Sequence, residues 1–185
     1  SSAASDVYKR QIENTEGKTK EYKVLVYAFT GLPVMYINTE NDTEITSKEE
    51  YVNAHLRIVE DIYTRSGEIF ESDVTIKGRG NSTWSLPKKP YALKFDKKTS
   101  LLGEPKDKSW VLLANYTDKT NLRNEASFFM GRISNLEWTP RTHFVELFMN
   151  EVYCGTYQLC EKIKIADSRV NITDDGYLME IDQPD

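Results

Sequence analysis

Apolar and polar positions alternate along most of this chain, the period expected of strands half-buried in a sheet. Residues 22–29 (YKVLVYAF) and 32–39 (LPVMYINT) read as the first two strands, with Pro33 at a strand start, where proline is tolerated. A turn at Asn41 and Asp42 follows. Residues 48–61 carry two signals. Ser47-Lys-Glu-Glu has the form of a capping box, whereas Val52, Ala54, Leu56 and Ile58 alternate as a strand does. The alternation favours a strand over about residues 51–60. A turn at Ser66-Gly67 then leads to an antiparallel neighbour over residues 73–77.

Pro87 and Pro90 exclude helix ahead of a strand at residues 91–95. Residues 101–109 read as a loop, and residues 110–115 (WVLLAN) as an apolar strand buried on both faces. One segment has a helical period. Leu122, Ala126, Phe129 and Ile133 share a face of a helix expected over about residues 119–134, with that face toward the core. Either Asp118 or Thr120 caps it. Residues 142–149 and 152–163 form two long strands around Asn150-Glu151, where Glu151 replaces the glycine that suits such a turn best and points to a changed turn type. A short strand pair, residues 170–173 and 177–182, is expected around Asp174-Asp175-Gly176. The expected fold class is α+β, a mostly antiparallel sheet carrying one principal helix. Residues 1–21 read as leader and linker outside the fold, leaving residues 22–185 as one domain.

At 39% hydrophobic and 29% charged residues the chain has the composition of a globular domain. Its net charge of −5 argues against a nucleic-acid-binding surface. No apolar run is long enough to span a membrane, and no signal-peptide core precedes the fold. Cys154 and Cys160 stand on one expected strand, ~20 Å apart and beyond disulfide reach. With only His55 and His143 to help, they do not make a structural zinc site, so two free thiols and no metal site are expected. No Ser-His-Asp order, HExxH, CxxC pair or EF-hand loop is present.

Against that acidic background, residues 74–96 (VTIKGRGNSTWSLPKKPYALKFD) concentrate cations around two glycines and two prolines. A strand entering a Gly-Arg-Gly-Asn-Ser-Thr turn and returning with lysines suits phosphate oxygens; it also suits a plain tight turn with a solvated basic face. Arg79, Asn81, Lys89 and Lys94 are the candidate contacts. In an extended return strand, residues 88, 90, 92 and 94 share a face. Lys88 and Lys94 then point together and Lys89 points away unless the bend between the prolines turns it, so the phosphate-binding lysine stays open. Arg123, in the first turns of the helix, is unfavourable with the helix dipole and needs a partner, either a carboxylate such as Glu161 or a phosphate. Glu161 ends an apolar strand and, if buried, needs a cation; Lys89, Lys94 or Arg79 is expected to supply it. Trp84 and Trp110 either fill the core or stack on an adenine, and the neighbours of Trp110 favour the core. His143 reads as a satisfied sheet-face histidine.

Taken together, RGNSTW, PKKPYALKFDK, KSWVLLANYTDKTNLRNEASF and FVELFMNEVYCGTYQLCEKI resemble, in order, the CotH kinase family, the spore-coat-protein-H-like atypical protein kinases. The resemblance covers about residues 32–182. It implies the N-terminal lobe of an atypical kinase-like fold, ATP and Mg²⁺ as cofactors, and transfer of the γ-phosphate to Ser or Thr of a surface or spore-coat protein. It also implies an extracellular, cell-surface or spore-coat location. A lysine of the PKKPYALKF strand would meet phosphate together with the RGN turn and be held by a carboxylate, and the D-x-x-x-x-R pair Asp118 and Arg123 belongs to the family pattern. In such kinases the metal-binding and catalytic aspartates lie beyond motifs such as YLMEID. Glu180, Asp182 and Asp185 are not matched to them, so a fragment with little or no kinase activity is expected. The alternative is a non-catalytic cell-surface or coat module on the same fold. A carbohydrate-binding β-domain is a third reading, resting only on aromatic content and strands.

Overall fold

The computed structural model of the protein describes residues 6–13, 19–26, 30–60 and 69–180. The chain divides into two compact units, Ser1–Leu32 and Pro33–Asp185. In the first, β1 (Asp6–Glu13) and β2 (Thr19–Val26) pair antiparallel, from Asp6 opposite Val26 to Glu13 opposite Thr19. Strand structure therefore reaches into the stretch read as leader and linker. The expected strand end at residues 27–29 and the turn at Ser66-Gly67 lie outside the described residues.

The second unit is a closed barrel of seven strands. They are β3 (Val34–Thr39), β4 (Val52–Val59), β5 (Ile69–Gly78), β6 (Tyr91–Thr99), β7 (Asp107–Leu113), β8 (Thr142–Met149) and β9 (Val152–Glu161). Their order around the barrel is β3-β4-β5-β6-β7-β9-β8. Six of the seven pairings are antiparallel; the seam is parallel, with Val34 opposite Glu146 through Ile37 opposite Met149. The expectation of an α+β fold with an open kinase-like lobe is thus overturned: the sheet closes on itself and carries one short helix, α1 (Arg123–Ile133). Alternation along a strand fixes which residues face inward, but a period of two says nothing about whether the first and last strands meet.

Inward positions fill the barrel. Met35, Ile37, Leu56, Ile76, Leu112 and Leu147 have no exposed surface, and Trp110 and Phe95 close the packing around them. Asn150 and Glu151 join β8 to β9 with φ of 48° and 64°. Positive φ at both central residues is the geometry of the favoured two-residue hairpin turn, so Glu151 occupies a glycine-preferring position without displacing it.

Where helix α1 was expected to pack by its apolar stripe, it does the opposite. Leu122, Phe129 and Ile133 are 56%, 54% and 65% exposed, and the helix starts at Arg123 rather than near Lys119. Polar groups hold it to the barrel. Glu125 accepts hydrogen bonds from Thr142 Oγ1 and, at 3.1 Å, from Gln158 Nε2. Asn124 donates to Asn115 Oδ1 at 2.8 Å, and Asn115 in turn donates to Gln158 Oε1 at 3.1 Å. The wall beneath α1 presents Thr142 and the fully buried Gln158, which bond a carboxylate and offer nothing to a leucine stripe. The strand pair expected at 170–182 is also absent from the described residues. Only an Ile165–Val170 bridge forms, followed by a turn in which the Gly176 N–H donates to Thr173.

Leu112→Ala should cost roughly 2–5 kcal/mol in urea denaturation, as a cavity in a closed core does. Phe129→Ser should stay within about 0.5 kcal/mol of the parent; a core-sized loss there would contradict the outward-facing helix.

Candidate functional site

The glycine-rich turn is built by close approach. Strand β5 ends at Gly78, whose N–H donates to the Ser47 carbonyl at 2.9 Å. The ring of Trp84 lies where a side chain at position 78 would stand, so only glycine admits it. The Arg79 N–H donates to the Pro90 carbonyl at 3.2 Å and closes the loop, while Gly80 takes φ +86°, open to glycine. A short 3₁₀ turn at Ser82–Ser85 then presents Trp84 edge-on to Tyr91, and Tyr91 stacks on Tyr157. Trp84 packs against the core cluster and Trp110 lies within it.

The cations of this stretch part company. Lys94 projects on the barrel's outer face 5.8 Å from the Tyr51 ring centre, in a groove with His55, Asp73 and Asp96. Lys89 is used locally: its ammonium donates to the Trp84 carbonyl at 2.6 Å and lies over the indole. Strand β6 begins only at Tyr91, so Lys88 does not share its face with Lys94. Instead Lys88 folds back, donates to the Thr156 carbonyl and sits 4.4 Å over the Tyr157 ring. There it lines a cavity of about 100 Å³ together with Arg79, Thr83, Asn115 and Asn124.

Arg79 is the junction. It lines that cavity and a second one of about 510 Å³, walled by Val111, Leu113, Phe128, Leu178 and Glu180. Burial lowers the pKa of both Arg79 and Lys88; Cys160 and Glu180 oppose the effect at Arg79, and Glu146 opposes it at Lys88. No side chain among the described residues hydrogen-bonds or ion-pairs with the Arg79 guanidinium. A half-buried guanidinium beside a half-buried ammonium, facing open space, favours an anion with several acceptor oxygens. Asn81 closes the turn, its carbonyl accepting the Trp84 N–H at 3.1 Å.

Glu161 does not serve this pair. Its carboxylate has no exposed surface and is held by Arg141, through Nη2 at 2.8 Å and the backbone N–H at 3.0 Å, and by the equally buried Arg169. The expected pairing of Glu161 with Lys89, Lys94 or Arg79 is therefore replaced by two arginines. Glu161 still lines the larger cavity. Arg123 finds its carboxylate in Asp118, 3.7 Å away, and its side chain is 82% exposed. Asp118 also accepts the Arg123 N–H at 2.8 Å and the Thr120 hydroxyl at 2.7 Å, so the D-x-x-x-x-R pair fastens the start of α1. These bonds, the Arg123 N–H first, hold the Asp118 carboxyl below its ordinary value. His143 is satisfied by Glu104 at 2.8 Å, and both cysteines are free. Sequence reasoning missed Arg141 and Arg169. The only signal was Glu161 itself, a lone acid ending an apolar strand and so in need of a cation, which does not say which cation.

A family model described as CotH kinase protein matches residues 76–185, from the end of β5 onward. No curated protein matches the chain.

Glu161→Gln should destabilise the fold by roughly 3–5 kcal/mol, the cost of leaving buried cations unpaired, and thermal or urea unfolding reads it. Asp118→Ala should destabilise at neutral pH. Because the folded pKa is depressed, that difference is fully present above the unfolded value of about 3.9 and is lost as pH falls on through the lower folded pKa. A gap unchanged in acid would contradict the cap.

Proposed function

The chain belongs to the CotH kinase family, and on that premise we propose that it supplies the nucleotide-binding portion of a CotH-like atypical protein kinase. Such a kinase transfers the γ-phosphate of ATP to Ser or Thr of a surface or spore-coat protein. The observation that supports this best is Arg79, a half-buried guanidinium with no side-chain partner among the described residues, standing between two cavities and sharing the smaller with Lys88. Phosphate oxygens would take the fork of Arg79 and the point charge of Lys88. Val111, Leu113, Phe128 and Leu178 give the larger cavity an apolar wall on which a base can lie.

Mg²⁺ would neutralise the phosphates and polarise the leaving group. Among the described residues, no three His, Cys, Asp or Glu side chains are grouped to hold a metal ion. A second reading, an adhesion or structural module at a cell surface or spore coat, is favoured by the apolar face that α1 turns to solvent. No helix among the described residues is long and apolar enough to cross a membrane.

Titration calorimetry with ATP·Mg²⁺ tests the choice. Arg79→Ala and Lys88→Ala should each weaken binding by about 1.4 kcal/mol or more, tenfold in Kd, and Lys94→Ala should leave it unchanged. Absence of binding by the folded parent, or loss only with Lys94→Ala, overturns the nucleotide assignment.

A further inference from the structure

A second set of donors without hydrogen-bond partners among the described residues lines a cavity that Arg79 does not reach. Arg169 is 2% exposed, and its guanidinium is committed on two sides only. Its face lies 5.1 Å over the Trp110 ring, and Nη1 donates to Glu161 and to the Ser168 carbonyl. The remaining edge, Nε and Nη2, is buried and has no hydrogen-bond partner among the described residues. That edge carries the two parallel N–H groups that receive a carboxylate side-on. The buried Trp138 Nε1–H likewise has no hydrogen-bond partner among the described residues. Arg169 and Trp138 line one open cleft of about 590 Å³, with Asn135, Leu136, Glu137 and Val170.

We propose that this cleft between residues 135–138 and 169–171 binds a small organic carboxylate, seated side-on on the Nε–Nη2 edge of Arg169 with the Trp138 indole N–H on the same wall. Three features select that ligand class. Buried donors without acceptors are unfavourable, and a carboxylate fits the geometry of a guanidinium edge. The walls offered by Leu136, Trp138 and Val170 suit an apolar body attached to it. Glu137 on the rim repels a doubly charged phosphate more than a monovalent carboxylate. The donors have no exposed surface of their own, so a ligand reaches them only if the cleft lining shifts, and Leu136 and Glu137 are exposed residues of that lining. The assignment is independent of the nucleotide reading, which rests on Arg79 and Lys88.

The test is titration of the ¹⁵N-labelled full chain with sodium benzoate, and separately with inorganic phosphate, following the Trp138 Nε1–H and Arg169 Nε–H resonances. Trp138→Phe, which removes the donor and keeps an aromatic wall, identifies the indole signal among three tryptophans. Both resonances should shift saturably with benzoate. Trp138→Phe should weaken binding by about fivefold, as expected for one lost hydrogen bond, and Arg79→Ala should leave it unchanged. Failure of either resonance to shift saturably overturns the proposal. So does phosphate binding as tightly as benzoate, or loss of benzoate binding in Arg79→Ala.

Discussion

The buried carboxylate of Glu161 is where the outer wall of the barrel is tied together. It ends β9, draws in Arg141 at the entry to β8, and reaches Arg169 in the loop beyond, whose guanidinium lies on Trp110 of β7. Trp110 is also the residue opposite Glu161 across the β7–β9 ladder. An ionised carboxylate without cations would be too costly at this depth, so these segments are confined to one arrangement. The consequence reaches the candidate site. With Glu161 held by two arginines, Arg79, which lines the same cavity, has no side-chain hydrogen bond or ion pair among the described residues.

Closure of the barrel sets the other constraint. The parallel seam between β3 and β8 brings together segments more than 100 residues apart, and with it the sheet has no edge. Helix α1 then cannot complete a core that is already closed. It docks through Glu125, Asn124 and the fully buried Gln158, while Phe129, Met130 and Ile133 stay exposed. The Asn115–Asn124 pair of this network also borders the small cavity beside Lys88, so the polar dock and the cationic turn share a wall.

Much of the local structure was legible in the chain. The alternation at Val52–Ile58 outweighed a capping-box motif and placed β4 within a residue of its ends, and residues 142–149 match β8. Pairing beyond neighbours was not legible, because a period of two encodes facing and not partners. The helix was found but its orientation inverted, since an apolar stripe states what a helix can bury and not what lies beneath it. The glycine-rich turn stood out for its cations and its glycines; that Gly78 is needed because Trp84 approaches too closely for any Cβ there was not legible. The shared face expected for Lys88 and Lys94 is not found, because β6 begins only at Tyr91, after the Pro87–Pro90 bend, and the Lys88 side chain lies over Tyr157. Arg141 and Arg169 were missed because charge partners separated by 20 and 8 residues leave no periodic trace.

Arg79 and Lys88 of the glycine-rich turn line one cavity, apart from Lys94 on the strand that follows. A crystal structure of the protein soaked with a non-hydrolysable ATP analogue tests that site most directly. Phosphate oxygens should lie within hydrogen-bonding distance of the Arg79 guanidinium and the Lys88 ammonium, with the base along Val111 and Leu178. Phosphates seated on Lys94 and the outer face of β6, with Arg79 untouched, would contradict it.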